Sequence, residues 1–347
     1  MIPAGLIFDN SIAYLDHLAP FCALLGWPLI LCDPDLCDKA KEFYPDLTVL
    51  EAKPVGIGRW VEQNFTHLVT CTPRPLLKAA LAGCPLYQTD SSGHFGIHTF
   101  WLPHGHSDKG EISNFYEGLR EEEVVLLYGQ KMVDLFTRLK IPLRYRRVGH
   151  FRWNYYQKVR SFYDTLSLGF HFPKNQKTIL YAPTWEDIEN NCTLWNAFPI
   201  LSEQLPDDLN LLVKPHPNTI ARSGPQLERL IGKTERSNLQ FLLDTPPILA
   251  LLERCDAYLG DRSSIGYDFL LFDKPLFFLD PHDHPQGRDL LRCGQSVSPD
   301  TIFQLFRNPD PFSERRREMI SYTFDLNRPL SKSALIGEIN FKFSKKN

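Results

Sequence analysis

The sequence has no long apolar segment and no excess of either charge. Its longest apolar run, FCALLGWPLILC at 21–32, is too short to span a bilayer and contains Pro28. The 38 Lys and Arg balance 41 Asp and Glu, which argues against a nucleic-acid-binding protein. The first residues, MIPAGLIFDN, lack a basic stretch before the apolar run, so no signal peptide is expected. These absences predict a cytoplasmic protein that attaches at most to the inner face of a membrane.

Paired cysteines are also missing. The eight cysteines stand singly, with no CxxC pair, and several lie inside apolar runs. Reduced, buried thiols are therefore expected instead of disulfides or a zinc site.

Two proline-rich segments and one group of histidines resemble metal ligands. Aspartate is common in proline-rich turns for backbone reasons, and no carboxylate or cysteine completes the spacing of the histidines. No metal site is predicted, no cofactor is expected to be required, and a divalent cation is left open. The segments are CDPDLCD with Asp33 and Asp35, DPHDHP with His282, Asp283 and His284, and the histidines are His94, His98 and His106.

Short apolar runs recur along the chain with gaps that could hold crossover helices. The first series is GLIF, PLILC, LTVL, HLVTC, PLYQT, FWLP, VVLLYG and RYRRVG, and the second is TILYAP, LNLLVKP, LQFLLD, DAYLGD and KPLFFLD. Such alternation predicts α/β units with parallel sheets and ligands at the strand ends. We therefore expect two Rossmann-like domains facing a cleft, at 1–155 and 165–305, and a helical tail at 306–347.

The segment CDAYLGDRSSIGYDFLLFDKPLFFLD, at 255–280, places polar residues between a strand and a helix. Ser263 or Ser264 falls at the predicted helix start, where free backbone N–H groups and the helix dipole attract anions. A serine that merely caps its own helix explains the pattern about equally well. Asp261 beside a phosphate would be repulsive, so it must point away, bind a sugar hydroxyl or orient a histidine.

Three further strand ends carry candidate residues. Lys214 and His216 follow LLV, and the prolines on both sides hold the imidazole in one direction, which suits phosphate binding or proton transfer. Thr184 could cap a helix or donate to phosphate, and Trp185 could cover a base or instead belong to the core. In FWLPHGHSDKG the candidates are His104, Gly105, which allows close backbone approach, and Lys109.

These motifs, in this order over residues 100–282, resemble the CDP-glycerol glycerophosphotransferase family of teichoic acid synthesis. The family patterns are HGTxxK, GxPRxD, YAPTW, KPHP, and TDYSS followed by DxxxxxKP. Departures stand at His106, Phe151, Asn154 and Arg262. Gly149 and Arg152 match the second pattern in part. The other matching residues are His104, Gly105, Lys109, Tyr181 to Trp185, Lys214 to Pro217, Asp261, Ser263, Ser264, Asp268, Lys274 and Pro275.

The resemblance implies a GT-B-like fold and an enzyme that transfers an alcohol phosphate from a CDP-alcohol donor to an acceptor hydroxyl, releasing CMP. It also implies that His104 and His216 are catalytic. The acceptor could be lipid-linked. The donor would be held by Lys214, Thr184, Trp185, Asp261, Ser263, Ser264 and Asp268, with Gly105, Lys109 and Arg152 as further site residues.

Other interpretations stay open at this stage. A GT-B sugar-nucleotide enzyme, either a glycosyltransferase or a UDP-sugar epimerase, would show similar strand ends, and a degenerate member would bind a nucleotide without catalysis. The basic run RLKIPLRYRR at 138–147 is either a solvated face or a contact for an anionic membrane surface.

Overall fold

The apolar runs form parallel strands in two separate sheets. The computed structural model describes residues 3–82, 97–108, 114–173, 175–187, 192–234, 236–244, 246–279, 289–333 and 335. The chain divides into two compact units. Unit 1 contains 1–104, 116–158 and 323–347, and unit 2 contains 105–115 and 159–322.

The sheet of unit 1 has seven described strands in the order β3-β2-β1-β4-β5-β6-β7, all parallel. The order reverses between β1 and β4, which is the switch point of a doubly wound sheet. The central strands are buried along their whole length because helices cover both faces. The strands are β1 (Pro3–Ile7), β2 (Leu29–Leu31), β3 (Val49–Glu51), β4 (His67–Thr70), β5 (His98–Trp101), β6 (Val124–Leu127) and β7 (Tyr145–Arg147).

The helices of unit 1 follow its strands as crossover connections. Helix α2 shows how local sequence starts them: Asp33 is the N-cap, its side chain accepts from the Leu36 N–H at 3.0 Å, and Pro34 occupies the first turn. The helices are α1 (Ile12–Leu25), α2 (Pro34–Phe43), α3 (Ile57–Asn64), α4 (Arg74–Ala82), α5 (Gln130–Arg138) and α6 (Phe151–Lys158), with a 3-10 helix at Asn114–Glu121.

The sheet of unit 2 repeats this order with six described strands, β10-β9-β8-β11-β12-β13. Its switch point lies between β8 and β11, which pair in parallel. A buried apolar core that includes Ile179, Leu211 and Leu259 packs against one face of the sheet. The strands are β8 (Lys177–Ala182), β9 (Leu209–Val213), β10 (Leu239–Phe241), β11 (Ala257–Gly260), β12 (Leu276–Phe278) and β13 (Gln295–Ser296).

The helices of unit 2 include one long element, α9, which bends at Ser223. They are α7 (Arg160–Thr165), α8 (Leu194–Gln204), α9 (Pro217–Ile231), α10 (Ile248–Glu253), α11 (Ser264–Phe269), α12 (Ile302–Leu305) and α13 (Ser313–Thr323), with 3-10 helices at Leu270–Phe272 and Leu290–Cys293.

The prediction of parallel α/β sheets is confirmed, and so are the strands that lie in the described residues. The run PLYQT lies outside them, and the two-residue strand β13 was missed because it carries no periodic signal. The units also differ from the predicted division in two places. The segment 105–115 belongs to unit 2, and the chain after α13, from residue 323, returns to unit 1.

The thiols agree with the expectation of reduced cysteines. Among the described residues seven cysteines are free, and five of them are buried. Burial raises the pKa of Cys255 to about 12 and that of Cys32 to about 11, so these thiols stay protonated. In the same part of the chain no helix combines the length and the apolar character that crossing a membrane requires.

Candidate functional site

The switch point of unit 2 is closed by a buried carboxylate. Asp261 directly follows β11 and has no exposed surface. Its two oxygens accept from the backbone N–H of Thr184 at 3.1 and 2.9 Å, and Oδ2 accepts from the Thr193 hydroxyl at 3.3 Å. Thr184 itself follows β8 and is 2 % exposed. Asp261 therefore points away from solvent, one of the orientations anticipated for it, and holds the β8 loop in place.

The start of α11 uses its serine locally. Ser263 is the N-cap, and its Oγ accepts from the Ile265 N–H at 3.4 Å. Ser264 opens the helix and is partly exposed, whereas Asp268 is buried on it. The capping interpretation of Ser263 is therefore observed, and donor binding by these residues stays a prediction.

The loop after β9 orients a histidine through its own helix. His216 is the N-cap of α9, and its Nδ1 accepts from the Asn218 N–H at 3.1 Å, while Pro217 occupies the first turn. Because Nδ1 accepts, the neutral ring carries its proton on Nε2, and the residue as a whole is partly exposed. Lys214 precedes this loop and is 4 % exposed.

Trp185 lies beside the same histidine. Their ring centroids are 6.3 Å apart with an interplanar angle of 33°. The guanidinium of Arg222, on α9, lies 4.6 Å from the centroid of the indole ring. One face of Trp185 is therefore covered by a cation, and a base could stack only on what the guanidinium leaves open.

One residue of the late motif is structural. The Nζ of Lys274 donates to the carbonyl oxygens of Glu253 at 2.5 Å and Cys255 at 2.7 Å. These carbonyls lie at and just after the end of α10, where backbone carbonyls have no hydrogen-bond donor within the helix and a lysine can donate to them. Burial lowers the pKa of Lys274. Lysine at this motif position fastens α10 to the start of β12.

In unit 1, His104 lies just beyond β5. Part of its side chain is exposed, but Nδ1 is buried and has no hydrogen-bond partner in the described part of the chain. Its ring packs against Tyr14 of α1, with centroids 5.0 Å apart. Burial lowers the pKa of His104 to about 4, with an opposing effect of Asp9. The imidazole is therefore neutral at pH 7.

The residues around His104 show why the motif needs glycine. Gly105 has φ of 116°, a backbone conformation that side chains with a Cβ rarely adopt. Lys109, the third member of the predicted motif, lies outside the described residues.

Arg152, predicted from the GxPR turn, is a buried structural residue. It is 2 % exposed, it forms an ion pair with the Asp16 carboxylate, and its Nε donates to the Asp16 carbonyl at 3.0 Å. It thereby joins α6 to α1. Gly149 of the same turn has φ of 70°, and a Cβ there would lie 2.6 Å from the Asp325 carbonyl oxygen.

Sequence reasoning missed Asp108. This aspartate is 7 % exposed, and its carboxylate accepts from the Tyr267 hydroxyl at 2.5 Å and from the Leu290 N–H at 2.9 Å. The His106 ring packs edge-on against Tyr267, with centroids 4.7 Å apart. The segment after Gly105 is thus fastened to α11 within unit 2. An aspartate in HGHSDK carries no local signal of such distant partners.

Two of the candidate metal ligands that lie in the described residues form other contacts. Asp33 caps α2, and His98 Nδ1 pairs with Glu123 at 2.8 Å. Within the described ranges no group of three or more His, Cys, Asp or Glu side chains is arranged to hold a metal ion. His94 and the segment DPHDHP lie outside those ranges. Metal-independent chemistry stays a prediction.

Comparison with known proteins adds a family to this geometry. A model of the CDP-Glycerol:Poly(glycerophosphate) glycerophosphotransferase family matches residues 154–286, which include the strand ends of β8, β9 and β11. Residues 154–286 are therefore similar in sequence to this family. The match covers most of the sheet of unit 2, including Thr184, His216 and Asp261 at its strand ends.

Individual relatives extend the likeness. The teichoic acid glycerol-phosphate primase of Bacillus spizizenii is 29 % identical over 172 residues, which are 48 % of this chain and 40 % of that protein. The chain thus spans less than half the length of this curated relative.

Solved structures extend the likeness of the fold to nearly the whole chain. The wall teichoic acid polymerase TagF matches with a TM-score of 0.64 and 15 % identity, over 99 % of this chain and 89 % of that one. A UDP-N-acetylglucosamine 2-epimerase from Listeria monocytogenes, described as putative, matches with a TM-score of 0.62 and 12 % identity, over 99 % and 97 %. These structures confirm the GT-B-like fold.

Proposed function

We propose that the chain transfers glycerol phosphate from CDP-glycerol to an acceptor hydroxyl and releases CMP. The observation that carries the proposal is the family match over 154–286, because that range holds the polar strand ends of unit 2. The primase of Bacillus spizizenii, whose name describes such a transfer, supports the same chemistry. In this reaction the acceptor oxygen bonds to the β-phosphorus, and the bond from that phosphorus to the bridging oxygen breaks, so that CMP leaves with this oxygen.

On the donor side, His216 acts as a hydrogen-bond donor. Its Nδ1 is occupied by the Asn218 N–H, so Nε2–H is the group that can face a phosphate oxygen. A fixed donor stabilises the charge that develops on the transferring and departing phosphates. Asp261 has no exposed surface, and we assign it the task of positioning the β8 loop that carries Thr184 and Trp185.

On the acceptor side, His104 takes the proton of the attacking hydroxyl. Its lowered pKa keeps the ring unprotonated at neutral pH, so it is always ready to accept. The imidazolium that forms during transfer is favoured by the negative charge of Asp9, which raises the pKa of His104 against the effect of burial.

The test is CMP release from CDP-glycerol by His104→Ala and His216→Ala. Each substitution is expected to lower kcat by roughly a hundredfold or more, the usual contribution of a proton-transfer or charge-stabilising group. His171→Ala, at an exposed histidine of unit 2, is the matched control and should leave the rate unchanged. Near wild-type turnover of either test variant would remove that histidine from the reaction.

A sugar-nucleotide enzyme is the second candidate, since the epimerase-like fold also matches nearly the whole chain. A ligand that binds the folded state raises the Tm by mass action. We expect CDP-glycerol to raise it more than UDP-sugars or CMP-sugars do. A larger shift with a UDP-sugar favours the second candidate, and a shift with CDP-glycerol without CMP release indicates a binding protein.

We further propose that unit 1 meets an anionic membrane surface where a lipid-linked acceptor is held. The run 138–147 carries five cationic and no acidic side chains, and beside it lies a cavity of about 400 Å³ lined mainly by apolar residues. Lys140 and Arg144, both exposed, form no ion pair with any described residue. Basic residues near an anionic leaflet contribute about 1 kcal/mol each.

Co-sedimentation with phosphatidylglycerol vesicles tests this surface. The double variant Lys140→Glu/Arg144→Glu should lose most of the binding, and Arg59→Glu, an exposed charge reversal elsewhere in unit 1, should lose little. Equal binding by all three proteins, or no binding at low salt, would end the proposal.

A further inference from the structure

A chain of hydrogen bonds lies behind His104 in unit 1. The His17 Nδ1 is 2.7 Å from the Tyr128 hydroxyl, and this hydroxyl is 3.2 Å from the carbonyl oxygen of Pro103. Pro103 directly precedes His104. His17 is 6 % exposed and Tyr128 is 1 % exposed, so water does not compete for these bonds.

The chemistry of the three groups sets the direction of the chain. A carbonyl oxygen can only accept, so the hydroxyl proton of Tyr128 is directed at Pro103. The hydroxyl oxygen then accepts from His17, which must carry a proton on Nδ1. Burial lowers the pKa of His17 well below its usual value, so the ring is neutral and holds a single proton. This direction of the chain corresponds to the Nδ1–H form of His17.

Helix α1 contacts His104 from a second direction. Tyr14 and His17 are three residues apart, so they share one face of the helix. The ring of Tyr14 packs at 5.0 Å from that of His104 with an interplanar angle of 52°. Helix α1 thus contacts the His104 ring through Tyr14 and, through His17 and Tyr128, is linked to the carbonyl of Pro103.

This support takes the place of an orienting hydrogen bond on the ring. Catalytic histidines are commonly held by a partner that accepts from the second ring nitrogen. The Nδ1 of His104 is buried and no described residue hydrogen bonds to it. Among the described residues, the imidazole is oriented by the packing of Tyr14 and by the backbone to which Tyr128 is hydrogen bonded.

We propose that His17 and Tyr128 are positioning residues that hold His104 for proton abstraction from the acceptor. The inference rests on the proposed function of His104. A displacement of about 1 Å in a reacting group can cost up to a hundredfold in rate, so loss of the anchor should lower kcat roughly tenfold. KM for CDP-glycerol should not change, because the donor residues belong to unit 2.

The kinetic test compares Tyr128→Phe, His17→Leu and His17→Asn. The first two remove the bonds and should each lower kcat roughly tenfold, and the double variant Tyr128→Phe/His17→Leu should fall no further, since both act through one chain. His17→Asn keeps an N–H near the position of Nδ1 and should recover most of the rate. Tyr155→Phe, a buried tyrosine of unit 1 outside this chain, should match wild type.

A spectroscopic measurement shows the chain without any reaction. Nitrogen-15 NMR of the histidine rings should show the neutral Nδ1–H form of His17 in wild type. In Tyr128→Phe the ring should shift toward the commoner Nε2–H form. An Nε2–H ring in wild type would overturn the inference.

The outcomes separate the inference from the function on which it rests. If His104→Ala abolishes CMP release while Tyr128→Phe keeps wild-type kcat, the positioning role is wrong and the function stands. If His104→Ala remains active, both roles fall. Wild-type kcat in His17→Leu would likewise overturn the inference.

Discussion

The two sheets share a strand order, but different residues follow their central strands at the switch points. In unit 2 the residue after β11 is Asp261, whose carboxylate bonds to Thr184 and Thr193 across the switch point. In unit 1 the corresponding residue after β4 is Cys71, a buried thiol. The family match lies mostly in unit 2. The comparison teaches that one topology can carry a buried hydrogen-bonded carboxylate at the switch point of one unit and a buried thiol at that of the other.

The largest effect on stability is expected from the hydrogen bonds of Asp261 to Thr184 and Thr193. Asp261→Ala leaves the buried N–H of Thr184 without its acceptor, and breaking a buried charged network typically costs about 3–5 kcal/mol. Cys71→Ala removes one buried sulfur at the matching position and should cost about 1–2 kcal/mol. Urea denaturation measures both. Equal costs would mean that Asp261 contributes no more to its edge than a small apolar group does.

A second, smaller effect concerns the contact of Asp108 inside unit 2. Tyr267→Phe removes the hydroxyl that donates to this buried carboxylate, and a hydrogen bond to a charged group is worth about 1.5–3 kcal/mol. Tyr322→Phe, at a more exposed tyrosine of unit 2, should change stability by less than about 0.5 kcal/mol. Thermal unfolding of both variants measures the difference. If the two variants melt together, the short contact to Asp108 does not stabilise the segment after Gly105.

The smallest effect is a pH dependence expected of unit 1. Burial lowers the pKa of His67 from 6.5 to about 4. Between these pH values His67 is protonated in the unfolded chain but not in the folded chain, so stability falls as the pH drops from 6.5 toward 4. Burial raises the pKa of Glu122 from 4.5 to about 7, so its contribution is lost as the pH rises toward 7.

Two variants separate these opposing contributions. The difference between the Tm at pH 7 and at pH 5 should decrease in His67→Leu and increase in Glu122→Gln, each by roughly 2–4 °C. His171→Leu, at an exposed position of unit 2, should leave it unchanged. Shifts of the same sign in the two unit 1 variants would contradict the assignment.

Much of the candidate site could be predicted because the end of a strand is marked by a local sequence pattern. A buried apolar run followed by a polar residue is visible in the sequence, and it located Thr184, His216, Asp261 and His104 at the edges of the two sheets. The partners of these side chains could not be predicted. Thr184 and Asp261 are 77 residues apart, and neither segment indicates that the Asp261 carboxylate accepts from the Thr184 N–H.

The same limit applies to the contacts of residues in the family motifs. Lys274 and Arg152 match family motifs, but the first holds backbone carbonyls at the end of α10 and the second pairs with Asp16. Asp108, His17 and Tyr128 belong to no recognised pattern. Their importance depends on partners at least 25 residues away in the chain.

By itself the sequence determined the α/β class, the two sheets and the family likeness of residues 154–286, because hydrophobic period, helix caps and short motifs are local properties of the chain. Tertiary structure decided which polar groups are buried and which atoms meet: that the Asp261 carboxylate accepts from the Thr184 N–H, that His216 Nδ1 accepts from the Asn218 N–H, and that the His104 ring packs against Tyr14. Except for the local His216 contact, those facts depend on contacts between distant segments, where desolvation and hydrogen-bond geometry, not local propensity, set the state of each group.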